Sequence, residues 1–72
     1  MSYAIAYNDN SGSGFSALEP FVHDDIRSLE DAICQREKLI IDGYRNVTIF
    51  SFKADELPEF ISWNFVLSHK LA

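Results

Sequence analysis

The sequence predicts a small α+β domain of β-α-β-β order, in which a three-stranded sheet carries one main helix. Three observations predict it. Residues 3–7 and 46–53 alternate with the two-residue period of strands. Residues 28–42 carry an apolar stripe at helical spacing between a start and a stop signal. Hydrophobic residues make up 47% of the chain, with six Phe, three Tyr and one Trp, which is far from the composition of a disordered segment.

The length of 72 residues implies a single domain over 1–72. A chain this short buries only about 60% of its unfolded surface. It cannot hide every ring, so aromatic surface is expected to remain for a partner or a second copy.

Along the chain, Tyr3, Ile5 and Tyr7 point to one face of the first strand and Ala4 and Ala6 to the other. Residues 8–14, all Asn, Asp, Ser or Gly, are expected to form a flexible loop. Phe15, Leu18, Phe21 and Val22 then suit a short irregular segment covering one edge of the core.

The helix is the best-marked element. Ser28 with Asp31 resembles a capping box in which Asp stands for the usual Glu or Gln, and Asp24 and Asp25 are alternative caps one turn earlier. Ile26, Leu29, Ile33, Ile40 and Tyr44 share one narrow sector, predicted to be the buried stripe, with Cys34 near its edge. Glu30, Asp31, Gln35, Lys38 and Asp42 lie beside or opposite it, and Gly43 suits a left-handed terminal residue.

In residues 46–53, Val47 and Ile49 point one way and Thr48, Phe50 and Phe52 the other. Apolar groups on both faces predict a strand covered on both sides, central in the sheet or at an interface. In residues 60–68, Ile61, Trp63, Phe65 and Leu67 alternate with Ser62, Asn64, Val66 and Ser68. This predicts a third strand, with 53–59 as a hairpin loop and Pro58 outside the ladder. The alternative is a β-α-β-α order with a C-terminal helix, favoured by the acids before the segment and by His69 and Lys70 at its end. If the first two strands are parallel neighbours, the main helix is a right-handed crossover. A three-stranded sheet also has open edges, a second reason to expect pairing with another chain.

Charge narrows the partners. The net charge of −5 disfavours nucleic acid and anionic membrane surfaces, which are bound through Lys and Arg. No apolar run approaches the ~18 residues of a membrane span. The single cysteine, Cys34, makes no internal disulfide, and the start MSYAIAYNDN lacks the features of a signal peptide, so a reducing, cytoplasmic setting is expected.

Chemical motifs are weak. The 8–14 loop lacks the lysine and spacing of a phosphate loop. It echoes a calcium loop at Asp9, Ser11, Ser13 and Gly14, but the twelfth position is Pro20 rather than a bidentate Glu. Cys34 has no histidine close in sequence, and His23-Asp24-Asp25 falls short of the three or four convergent ligands of a metal site. The expectation is a protein that is not an enzyme and that holds no metal or cofactor.

Two acidic groups stand out: Glu19, Asp24, Asp25, Glu30 and Asp31 around the helix start, with only Arg27 among them, and Asp55, Glu56 and Glu59 in the proposed hairpin loop. They suit docking on a basic protein surface. The plainer reading is ordinary helix-start and loop acidity that keeps a small protein soluble. Trp63, with Phe50, Phe52, Phe60 and Phe65, suits a partner or homodimer face, the plainer reading being core.

In general plan, the aromatic first strand, the helix ending Asp42-Gly43-Tyr44 and the strand over 46–50 resemble many short accessory proteins of bacteriophages and prophages. The resemblance covers about half the chain and carries over no residue. It implies an inhibitor or adaptor that binds a host protein.

Overall fold

The computed structural model describes residues 1–8 and 19–71. The elements run β1 (Ser2–Asn8), β2 (Phe21–Ile26), α1 (Leu29–Ile41), β3 (Arg45–Phe52) and α2 (Trp63–Ser68). The expected α+β class, three-stranded sheet and main helix are all present. The strand order is β2-β1-β3, with both outer strands antiparallel to β1. The loop expected over 8–14 lies outside the described residues apart from Asn8, which ends β1.

Because β2 and β3 both run against β1, they are parallel to each other. The helix α1 therefore joins two parallel strands and crosses over the strand between them. The two strands expected from sequence, β1 and β3, are neighbours but antiparallel, so the parallel crossover between them is not formed, and α1 links β2 to β3 instead. The missed strand is β2. Its sequence Phe-Val-His-Asp-Asp-Ile breaks the two-residue alternation, because Asp24 and Asp25 together occupy the position opposite Ala4. This bulge, with Asp25 at φ 64°, shifts the phase of the strand so that Ile26 and Phe21 end on the same face.

The helix signals hold. The Ser28 Oγ accepts the Asp31 N–H at 3.2 Å. At the other end, the Tyr44 N–H donates to the Leu39 carbonyl and the Gly43 N–H to the Ile40 carbonyl, with Gly43 at φ 95°. That is a Schellman closure, and it needs a residue free to adopt positive φ.

The predicted third strand over 60–68 is a helix, as in the alternative reading. Ser62 caps it by accepting the Phe65 N–H at 3.3 Å. Alternation misled because the segment is apolar on both sides. A short helix laid on a sheet, with its flanks also half-covered, shows the same composition as a buried strand. What pairs with the sheet is the stretch after α2. Lys70 bridges Phe50, with Ser51 N–H donating to the His69 carbonyl at 3.2 Å and Leu71 N–H to the Ile49 carbonyl at 3.1 Å.

The sheet is thus covered on both faces. On one side Ala4, Ala6, Phe50, Phe52 and Val66 form a core closed by Leu57, Ile61, Trp63 and Phe65. On the other, Ile5, Ile26, Ala32 and Ile49 form a core closed by Tyr3, Tyr7, Leu39 and Val47. Two-sided coverage of β3 is as expected, but β3 is an outer strand and β1 the central one.

The predicted buried stripe of α1 is displaced. Ile26, which precedes the helix, is buried, and Tyr44 packs edge-on against Tyr7 at 4.9 Å. Leu29, Ile33 and Ile40, however, remain 41%, 40% and 51% exposed, and Ala32 is the helix residue at the sheet. The three aliphatics lie about 60–100° round the helix from Ala32. Periodicity identifies which residues share a sector. The side chains beneath, Tyr3, Ile5 and Tyr7, decide which sector fits against them, and they leave room for an alanine.

Phe50 is fully buried, whereas Phe60 is 64% exposed. Phe50→Ala is expected to lower stability by about 3–5 kcal/mol, enough to unfold a domain of this size, while Phe60→Ala stays within about 0.5 kcal/mol. Urea denaturation followed by circular dichroism checks both.

Candidate functional site

Strand register decides which acidic residues can act together. Ile26 pairs with Tyr3 and Phe52 with Ser2, so the end of β2, the start of β1 and the end of β3 share one end of the sheet. The helix α1 begins at that end and residues 53–56 turn there, with the Glu56 N–H donating to the Lys53 carbonyl at 2.9 Å. Asp24, Asp25, Glu30, Asp31, Asp55 and Glu56, far apart in sequence, therefore gather at one end, all exposed. Arg27 and Lys53 are the basic side chains beside them.

Three predicted residues lie elsewhere. Glu19 precedes β2, at the opposite end, where Phe21 pairs with Tyr7. Asp24 lies five residues further on, roughly 16 Å along an extended chain. Glu59 is exposed further along the connection to α2. Trp63 begins α2 and is half-buried, in a cleft shared with Asn8 and Asn46 at the far end of the sheet.

The acids differ in what they already do. Glu30 and Asp31 occupy the first turn of α1, where the helix dipole favours them. Glu56 accepts the Lys53 N–H at 3.3 Å and lies 3.4 Å from His69 Nε2. His69 stacks on Phe65 at 4.1 Å, and its Nδ1 is 3.0 Å from the Phe65 carbonyl, so both ring nitrogens face oxygen acceptors. Glu56 thus ties the 53–56 turn to the end of α2. Asp24, at the bulged edge, and Asp55, at the turn, are the acids with the fewest structural ties.

The far end is polar but differently built. Asn46 adopts φ 55° at a second bulge, where Asn46 and Val47 oppose Tyr7. Its side-chain amide donates to the buried Asn8 Oδ1 at 2.7 Å. Asparagine tolerates the left-handed region better than other non-glycine residues, so one residue supplies both the backbone turn and the hydrogen bond. Neither periodicity nor motif spacing marks this pair. An Asn ending one strand and an Asn beginning another was the available signal.

Two clefts flank the outer edge of β3. One, of about 480 Å³, lies on the α2 side and includes Trp63 and Leu67. The other, of about 340 Å³, lies on the α1 side and includes Leu29, Ile33 and Arg36. Val47, Thr48 and Lys70 line both.

Cys34, expected near the edge of the buried stripe, is exposed on α1. Among the described residues, no group of three His, Cys, Asp or Glu side chains converges to hold a metal ion. Nor, among them, is any helix long and apolar enough to cross a membrane. No protein-family model, curated protein or solved structure matches the chain.

Asn46→Ala places a β-carbon at positive φ without a compensating side chain and removes a donor from buried Asn8. It is expected to cost about 1–3 kcal/mol, and Asn46→Gly less, because glycine relieves the backbone part. Thermal unfolding of the two variants beside the parent separates the terms.

Proposed function

We propose that the protein is a small binding module that docks, through its acidic end, on a basic surface of another protein. The carrying observation is the topology: two acidic groups some thirty residues apart in sequence are brought to one end of the sheet, one from the end of β2 and the start of α1, the other from the turn after β3. Six exposed carboxylates against two basic side chains make a local field that steers a cationic partner and fixes its orientation. An inhibitor or adaptor of the phage accessory type works through such a surface, without catalysis and without a cofactor. A reducing, cytoplasmic setting agrees with the single free cysteine.

The second reading is a homodimer, and a specific observation favours it. Leu29, Ile33 and Ile40 are all substantially exposed on α1, in the sector that sequence periodicity marks as apolar. Such patches commonly mark a protein interface. Light scattering at high concentration decides this reading: a strictly monomeric species removes it, and a dimer lost in Ile40→Lys supports it.

The acidic-end reading is tested with two baits, the parent and the D24N/D25N/E30Q/D31N variant, both checked for folding by circular dichroism. A protein retained from cell lysate by the parent should be lost from the variant, and its affinity for the parent should fall roughly tenfold or more from low to high salt. Equal retention by both baits, or affinity indifferent to salt, contradicts the reading.

A further inference from the structure

The outer edge of β3 differs from the rest of the molecule in charge and shape. Residues 69–71 already lie along it as an added strand, pairing with Ile49–Ser51 through two backbone hydrogen bonds. Beyond them, residues 45–48 have no strand partner on that side among the described residues. An edge that accepts one extended segment can take a second beside it, with the ladder interrupted at the Asn46–Val47 bulge. The two clefts lie on either side of this open stretch, so alternate side chains of an added strand would enter one and then the other. Leu29 and Ile33 wait on the α1 side, Trp63 and Leu67 on the α2 side. That is the geometry of strand addition, in which main-chain bonds give affinity and alternating pockets give selection.

Charge identifies the occupant. In a protein of net charge −5, the charged side chains that line the clefts among the described residues are cations, Lys70 in both and Arg36 on the α1 side. Arg36 Nη2 meets Glu37 Oε1 at 3.4 Å, but its Nε is buried without a hydrogen-bond partner among the described residues. That nitrogen is sealed from solvent, and what a ligand in the cleft can meet is the exposed remainder of the Arg36 side chain. We propose that this groove binds an extended peptide segment of a partner protein, apolar at alternate positions and bearing carboxylates between them, as a strand added beside residues 45–48. A second copy fits less well. Two-fold pairing of β3 with β3 sets Lys70 and Arg36 against their own images. Pairing of β3 with the acidic β2 edge generates an open chain of molecules. The inference goes beyond the acidic-end reading and uses a surface of opposite charge.

The test is an NMR titration of the full chain with two pools of short synthetic peptides. Both alternate Val, Ile or Leu with a charged residue, Glu in one pool and Lys in the other. The Glu pool should shift the backbone amides of residues 45–48 and the Trp63 indole, and the Lys pool should not. Lys70→Glu should weaken Glu-pool binding by about tenfold, as loss and reversal of one charge-assisted contact implies. Backbone N-methylation of the peptides, which leaves this protein untouched, should abolish it. The D24N/D25N/E30Q/D31N variant should bind the Glu pool like the parent, so the two surfaces fail or succeed independently. Any of four results overturns the proposal: no shift at these amides, equal shifts from both pools, undiminished binding of N-methylated peptides, or the same shifts on concentrating the protein alone, which would assign the edge to a second copy.

Discussion

The central strand β1 has to be buried on both faces, and its side chains set the terms. One face presents Tyr3, Ile5 and Tyr7; the other presents Ala4 and Ala6. Close packing then demands opposite partners on the two sides. Against the large face the helix α1 brings its smallest side chain, Ala32, with Leu39 beside it. Above the small face, β3 contributes Phe50 and Phe52, and α2 adds Val66 and Phe65, with Phe65 edge-on to Phe50 at 5.9 Å. A chain of 72 residues has little apolar area to spare. Using both faces of a three-stranded sheet is how it forms two cores from one strand.

This constraint also explains which elements could be read from the sequence. The facing of β1, both ends of α1 and the two-sided character of β3 follow from short-range rules: alternation, a capping serine and a glycine at positive φ. Three features depend on tertiary fit and differ from what short-range pattern predicts. The strand β2 is concealed by its bulge, since an extra Asp breaks the period that reveals strands. Residues 60–68 alternate like a strand although Trp63–Ser68 form a helix, because Ile61, Trp63 and Phe65 reach the Phe50–Phe52 core while Leu67 stays exposed. The stripe of α1 was given the wrong facing because the large residues of β1 admit Ala32 and displace Leu29, Ile33 and Ile40 to the flank.

The candidate surfaces were legible in part. The acidic groups could be listed from sequence, and the register gathers six of those residues while separating Glu19, which only looked adjacent because β2 was not recognised. Trp63 was marked as an anchor for a partner, and it borders a cleft at the open β3 edge. The cations of that edge, Arg36 and Lys70, come from different elements and had no sequence signal. The resulting molecule has an acidic end and a cationic, apolar edge, and two of the displaced aliphatics of α1, Leu29 and Ile33, line that edge. Surface left over by the packing of β1 is therefore the surface offered to partners.

If both cores depend on β1, the second layer is integral and α2 is not an appendage. Native-state hydrogen exchange tests this most directly. The Val66 amide, which donates to the Ser62 carbonyl at 3.1 Å, should exchange only through the same global unfolding as the amides of Ala4, Ile5 and Ala6. Exchange of Val66 at a much lower free energy, with β1 still protected, would show that the sheet stands with one face uncovered and would contradict the account.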